Sequence, residues 1–424
     1  MKGNNSPHIL LISSASLTKG PGTIAMNIYD ALCEQGCDVD ILTLYKENAF
    51  PIAKYIYKKK SRLNSLFFRI SRKFWNKTKK EFCFFYQKEN IPPVPTSKVL
   101  DQIEGSYDAV IIYFWQELLS FKTVDKLYNK LKCKFIFVCA DYSLMSGGCH
   151  FTNGCQRFMT GCGSCPACDS NEPNDFTHWN VMYRQKIYEK VKPAIVANSY
   201  MIENFFKKSF LLKNRSFYLS KGLIDHEFFK PLDRQSMYKK FQINPEKKYI
   251  IAFGSQSLTN ERKGMSYLLE TLDLVYQQLT VEERYKILLL FIGNNGEEII
   301  PRLKFDYKNL GYISIDDLPA FYSISTLFIC SSIDDAGPSM VAQSLACGTP
   351  IVSFKMGAAL DLVMGQNTGY CAELRNSVDL AKGVLKILHM DTDTYRELRL
   401  HCSKVSKVQS SKKAFAQLIL SDIY

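Results

Sequence analysis

The sequence predicts an α/β protein made of two doubly wound, parallel-sheet domains joined by a short linker. Three observations carry this. The chain has 424 residues, too many for one ordinary core, so two domains of about 200 residues are the natural division. Short apolar runs bounded by turn residues alternate with helical patterns through both halves. The pattern lapses at Ser220–Asp233, where Pro231 appears, and the boundary is placed there.

In the first half the apolar runs are His8–Ser13, Val39–Leu44, Ala109–Phe114, Lys134–Ala140 and Ala194–Ser199, with a helix expected over Gly22–Cys33. The second half repeats the scheme at Tyr249–Ser255, Ile287–Gly293, Thr326–Ser332 and Pro350–Phe354. Continuous apolar runs, rather than alternating ones, belong to strands covered on both faces, as in parallel sheets. The expected domains are residues 1–220 and 221–395, with a C-terminal helix in 396–424 packing back on the first. Two such sheets would face each other across a cleft at their carboxyl edges, where open α/β sheets take ligands.

Composition narrows the function. At 46% hydrophobic and 22% charged residues, the chain is an ordinary globular protein, which argues against extended disorder. No apolar run reaches the roughly 20 residues a bilayer span needs. The apolar stretch at the start is too short for a signal peptide, so a cytoplasmic protein with reduced cysteines is expected. The net charge is +13, and Lys54–Lys80 holds eleven Lys or Arg and no acid. Phe67, Phe68, Ile70, Phe74 and Trp75 interleave with the basic residues. That mixture reads as a segment lying on an anionic membrane surface, with a solvated basic face as the plainer reading. A nucleic-acid patch would use similar residues, but no nucleic-acid partner is expected.

Two stretches carry chemistry. In Asp334–Phe354, DDAGPSMVAQSLACGTPIVSF, an acidic residue precedes Gly337-Pro338, and Ser339 is expected to cap a helix whose first-turn amides bind an anion. Met340 belongs to that first turn, and Gln343 lies one turn on. A diphosphate would sit on the helix start, with Asp335 beside it. In Phe253–Leu272, a strand is expected to end at Phe253-Gly254, and Arg262-Lys263-Gly264 then opens a helix. Two adjacent cations can neutralise a diphosphate leaving group, Arg as a fork and Lys as a point charge. A glycine-rich loop, Leu17–Leu32 with Gly22, opens the first helix of the N-terminal half.

With these motifs the chain resembles glycosyltransferase family 4, retaining enzymes of the GT-B fold with two Rossmann-like domains. The family's Arg-Lys pair falls at Arg262-Lys263, the first acid of its Glu-x7-Glu motif at Asp335, and its A-C-G-x-P-V-V at Ala346–Val352. Three positions depart: the second acid is Gln343, the first is Asp rather than Glu, and the arginine common after the strand-end glycine is Ser255. The stretch Cys149–Cys168, CHFTNGCQRFMTGCGSCPAC, resembles a bacterial exopolysaccharide subgroup of colanic-acid type, matching at Asp141, Gly147, Gly148, Cys149, His150, Cys155, Thr160, Gly161, Cys162, Cys165 and Pro166. The subgroup's His before the Asp is Ala140 here.

The resemblance implies transfer of a hexosyl group, with retention, from a nucleoside diphosphate sugar to a lipid-linked or oligosaccharide acceptor. The setting would be surface polysaccharide synthesis (exopolysaccharide, lipopolysaccharide or capsule) at the inner face of the cell membrane. Arg262, Lys263 and the Ser339 helix start would stabilise the departing diphosphate, and Asp335 would orient the donor sugar. Gly22, Gly254, Gly337, Pro338, Met340 and Gln343 would complete the donor site. Asp141 would meet the acceptor hydroxyl or simply cap its loop. The two cations supply the positive charge of the step, so no cofactor is required. Cys149, Cys155, Cys162 and Cys165 have the makings of a structural four-thiolate zinc site, with His150 as an alternative ligand. Free or partly disulfide-bonded thiols are the other reading. A sugar-nucleotide epimerase on the same fold and a non-catalytic polysaccharide-assembly protein remain as alternative functions.

Overall fold

The structure, a computed structural model, describes residues 6–18, 20–59, 84–85 and 87–423. The chain forms two compact units. The first comprises residues 1–198, 202–223 and 412–424; the second comprises 199–201 and 224–411.

The first unit holds a seven-stranded sheet in the order β3-β2-β1-β4-β5-β6-β7. Its strands are β1 (His8–Ser13), β2 (Asp38–Tyr45), β3 (Lys54–Tyr57), β4 (Ala109–Tyr113), β5 (Lys134–Val138), β6 (Ala194–Ala197) and β7 (Phe217–Leu219). Every neighbouring pair is parallel. The first helix, Pro21–Cys33, buries Ala25, Ile28 and Leu32, and the C-terminal helix Lys412–Ile423 packs Phe415, Ala416 and Ile419 into the same cluster.

The second unit holds six parallel strands in the order β10-β9-β8-β11-β12-β13. They are β8 (Tyr249–Ser257), β9 (Ile287–Asn294), β10 (Tyr307–Asn309), β11 (Leu327–Cys330), β12 (Ile351–Phe354) and β13 (Gly369–Ala372). Successive side chains of a strand point to opposite faces. In β8, Ile250 and Ala252 enter one apolar cluster while Ile251 and Phe253 enter the other. Helices cover both faces, which is why this strand reads as an unbroken apolar run. The helix Thr392–Gln409 stays with this unit, and the chain passes to the first unit at Lys412.

Two expectations are corrected here. Strand β8 does not end at Gly254; it continues to Ser257 through a register shift against β9. A Cβ at Gly254 would lie 2.4 Å from Ile292 Cγ1, so the glycine is needed for close cross-strand packing. The four outer strands β3, β7, β10 and β13 lie outside the apolar runs, because edge strands are only half covered. Residues 60–80 of the basic segment lie outside the described residues. Its first residue, Lys54, lies in β3 and reaches Asp40 Oδ2 at 2.8 Å. Among the described residues no helix is long and apolar enough to cross a membrane.

Candidate active site

β8 and β11 pair side by side, and at this pair the strand order of the second sheet reverses. Segments leaving the two strands at their carboxyl ends meet in the crevice where open α/β sheets bind ligands. After β8 comes a 3-10 turn, Glu261–Lys263, entered through Asn260, whose side chain accepts from Arg262 N at 3.1 Å. After β11 comes Ser331–Asp335. Ile333 N donates to Arg262 O at 2.9 Å, and Ser331 Oγ donates to Lys263 O at 2.8 Å. These two bonds fix one loop on the other.

Gly264 makes this contact possible. Its φ is +66°, and a Cβ there would lie 2.0 Å from Ser331 O. Left-handed backbone alone costs a residue with a Cβ about 1–2 kcal/mol, and the clash adds to it. Gly264→Ala should therefore destabilise the protein by at least about 2 kcal/mol in urea unfolding; a loss within about 0.5 kcal/mol, the ordinary surface range, would mean the loops are not locked this way.

The locked loops bring three charged side chains together. Lys263 Nζ lies 2.6 Å and Arg262 Nη1 2.8 Å from the same oxygen, Asp335 Oδ2. Arg262 Nη1 also donates to Asp334 O at 2.6 Å. Two cations on one carboxylate give this group a net positive charge. Asp335 is only 7% exposed. Burial pushes its carboxyl pKa up, but Lys263 and Arg262, by charge and by hydrogen bond, outweigh burial and hold it below the ordinary value.

That direction gives a pH dependence. A carboxylate with a depressed folded pKa contributes stability that is present above its unfolded value and lost as pH falls through the folded one. The gap in melting temperature between wild type and Asp335→Asn should thus be fully open above about pH 5 and narrow below about pH 4. A gap independent of pH would show that the carboxylate is not held by the cations.

The neighbouring helix is Ser339–Ala346. Here the sequence expectation is corrected: Ser339 is its first residue, not its cap. Pro338 holds the cap position, and no side chain caps the helix. Ser339 is exposed and Met340 half-buried; Val341 N donates to Pro338 O at 3.0 Å, and with no side-chain cap the Ser339 and Met340 amides are left for water or a ligand. Gly337 N donates to Asp335 Oδ1 at 3.4 Å, tying the helix entry to the charged group. Gln343 is buried, and its Oε1 accepts from the Tyr322 hydroxyl at 3.0 Å. Ser255, at the position of the family arginine, is buried with Oγ on Ser257 O at 2.6 Å. Arg262, Lys263, Asp335 and Gly337 are thus joined directly, Pro338, Ser339 and Met340 follow at the helix entry, and Gln343 is tied to the core.

Residues 233–408 match the model of the family described as glycosyl transferases group 1. The chain carries a glycosyl transferases group 1 domain. The matched residues contain the whole charged group and the helix beside it, so in this glycosyltransferase both lie within the family domain. Solved structures agree on the fold. Sucrose-phosphate synthase from Thermosynechococcus elongatus aligns with TM-score 0.68 at 16% identity, over 98% of each chain. HepE from Anabaena, solved in complex with UDP and glucose, aligns with TM-score 0.65 at 14% identity, over 98% of this chain and 99% of its own. A glycosyltransferase from Rickettsia africae aligns with TM-score 0.66 at 15% identity, over 99% of this chain and 98% of its own. The two parallel-sheet units have the GT-B fold. No curated protein aligns significantly with the chain.

The first unit of the glycosyltransferase places the remaining expected residues. Gly22 sits in the first turn of Pro21–Cys33, where a Cβ would lie 1.6 Å from Ser16 O. Asp141 caps the turn Tyr142–Leu144, accepting from Ser143 N at 2.8 Å, and its second oxygen lies 2.6 Å from His150 Nδ1. Asp141 thus holds His150 through Nδ1. Cys149, Cys155, Cys162 and Cys165 form no disulfide, and no group of three or more His, Cys, Asp or Glu among the described residues is placed to hold a metal ion. The expected four-thiolate site is not assembled among the described residues. Cys162 Sγ accepts from Gly147 N at 3.4 Å. Cys165 pairs with Cys168 across one 3-10 turn, and that hydrogen bond lowers the Cys165 pKa against burial.

Sequence reasoning missed the largest buried charge. Arg184 and Glu89 are both fully buried, with Arg184 Nε 2.9 Å and Nη2 2.5 Å from Glu89 Oε1. Arg184 lies on the helix Phe176–Val191 among polar neighbours that read as a solvated face. No sequence signal distinguishes it.

Proposed function

We infer that this glycosyltransferase moves a sugar from a nucleoside diphosphate sugar to a hydroxyl of a lipid-linked or oligosaccharide acceptor, with retention, as in the exopolysaccharide-type members of family 4. One observation carries the reading: Arg262 and Lys263 share Asp335 at the switch point of the second sheet, beside an uncapped helix start. When the bond from the anomeric carbon to the phosphate oxygen breaks, negative charge develops on the diphosphate. Two fixed cations and first-turn amides oppose that charge without reorganising, which is the main source of such catalysis. Asp335 then acts as a positioning residue that holds both cations toward the phosphates. The departing phosphate oxygen takes the acceptor proton, so no side-chain base is needed at this site. A uridine donor is favoured because the similar Anabaena HepE has been solved with UDP-glucose. The basic stretch Lys54–Lys80 would keep the enzyme at an anionic membrane surface, near a lipid-linked acceptor, in surface polysaccharide synthesis.

A melting-shift screen of UDP-, GDP- and ADP-sugars tests the donor class, since a ligand that binds only the native state raises the melting point. NMR of the product's anomeric proton with the best donor then tests retention. Conversion of the donor to its epimer with no acceptor added would favour the epimerase reading, and no shift with any donor would overturn the transferase one.

A further inference from the structure

The loop between β5 and the helix Phe176–Val191 carries a pair of cysteines that the transfer chemistry does not use. Cys165-Pro166-Ala167-Cys168 folds as one 3-10 turn over Pro166–Cys168, with Cys165 at its cap position. Cys168 N donates to Cys165 O at 3.1 Å, and Ser170 N donates to the same oxygen at 3.0 Å. A turn closed in this way keeps its first and fourth Cα atoms within about 7 Å, a span that a disulfide bridges. The two side chains already meet, the Cys168 thiol donating a hydrogen bond to the Cys165 sulfur.

The turn is fastened to its surroundings. Cys165 N donates to Asp175 Oδ2 at 2.8 Å, and the other oxygen of Asp175 caps the helix Phe176–Val191 through Thr177 N at 2.8 Å. Ser164 N donates to Glu172 O at 2.8 Å. Cys165 is buried, whereas Cys168 is half-exposed. Burial pushes Cys162, Cys347 and Cys402 up to about 12, which leaves them inert thiols. Cys165 goes the other way, down to about 7, because the Cys168 thiol, and after it the Cys168 and Ala167 amides, donate to its sulfur against burial. The same thiol contact raises Cys168, so the two sulfurs share one proton.

We propose that Cys165 and Cys168 form a redox-active dithiol, which small-molecule disulfides oxidise to an intramolecular disulfide. The accessible sulfur reacts first. Cys168 passes its proton to Cys165, and the Cys168 thiolate attacks one sulfur of a disulfide RSSR. The S–S bond of the reagent breaks, and RS⁻ leaves with the proton held by Cys165. The Cys165 thiolate then attacks the Cys168 sulfur of the mixed disulfide, and a second RS⁻ leaves. One RSSR is thereby reduced to RSH and RS⁻, while the cysteine pair loses two electrons and one proton. Nothing in this step uses Arg262, Lys263 or Asp335.

The test is thiol mapping of the full chain, reduced beforehand. After treatment with bis(2-hydroxyethyl) disulfide, the remaining thiols are alkylated with N-ethylmaleimide. The tryptic peptide Phe158–Arg184, which holds Cys162, Cys165 and Cys168, is then sequenced by mass spectrometry. Wild type should give this peptide with Cys165 joined to Cys168 and only Cys162 alkylated, and dithiothreitol should restore all three thiols. In Cys165→Ser the resolving sulfur and the proton acceptor are gone. The mixed disulfide on Cys168 should therefore form at least about tenfold more slowly and then persist. Should Cys165→Ser melt early, the mapping of wild type decides alone. Three alkylated cysteines in treated wild type, a bridge from either residue to any other cysteine, or a mixed disulfide that persists on wild-type Cys168 overturns the proposal. So does adduct formation at the wild-type rate in a folded Cys165→Ser protein.

Discussion

Replacing both Arg262 and Lys263 by alanine should abolish transfer and also destabilise the second unit by about 3–5 kcal/mol. The second effect follows from the geometry. Asp335 is 7% exposed, and both cations lie on its Oδ2. Removing them leaves a buried carboxylate uncompensated, which costs far more than an exposed pair is worth. The double variant alone would thus confuse loss of chemistry with loss of fold. Adding Asp335→Asn removes the stranded charge, so the triple variant should recover most of the urea midpoint. Its turnover should remain at least about 10³-fold down, since removing even one preorganised donor costs about 10²–10³. A stable triple variant with near-native turnover would exclude the phosphate role of the two cations.

Arg184→Ala should cost the first unit about 3–5 kcal/mol, the other large effect. The guanidinium is fully buried between Glu89 and two carbonyls, Ser143 O at 2.6 Å and Ser146 O at 2.7 Å. The rings of Phe85, Trp115 and Phe121 lie 5.4, 5.5 and 5.1 Å from its carbon. Glu89 is used on its other oxygen too, accepting from Phe121 N at 2.9 Å. Truncation leaves Glu89 buried without its cation and frees the turn that follows Asp141. Replacing both partners by apolar residues of similar size, Arg184→Met with Glu89→Leu, should cost clearly less, because no charge is stranded. Urea unfolding of the two variants measures the difference. Equal losses in the two would mean the effect lies in packing, not charge.

The α/β class and the central strands were legible because both faces of each sheet are covered. Burial on both sides forces continuous Val, Ile, Leu and Phe, and such runs mark β1, β4, β8 and β9 directly. The edge strands were not, because a half-covered strand such as Lys54–Tyr57 need not be apolar. At the site, the adjacency of Arg262 and Lys263 and the glycine after them were readable. The roles of their neighbours were less so. Asp335 read as a group for the sugar; that both cations also meet one of its carboxyl oxygens was not legible. Ser339 matched a cap by residue type, but Pro338 sets the helix start one residue earlier. The cysteine spacing suggested zinc ligands; whether sulfurs converge depends on loop geometry, and here Cys165 meets Cys168 instead. The pairing of Asp141 with His150 joins residues nine apart across a folded loop, which spacing does not announce.

The account stands on positive charge at the end of β8 recognising a diphosphate. Calorimetric binding of the tightest of UDP, GDP and ADP, compared with its parent nucleoside, to wild type and Lys263→Gln tests this most directly, because Arg262 still holds Asp335 in that variant. Losing one charge-assisted bond, about 1.5–3 kcal/mol, should weaken the diphosphate by roughly 10- to 150-fold and leave the nucleoside unchanged. Equal affinity of wild type and variant for the diphosphate would contradict the account.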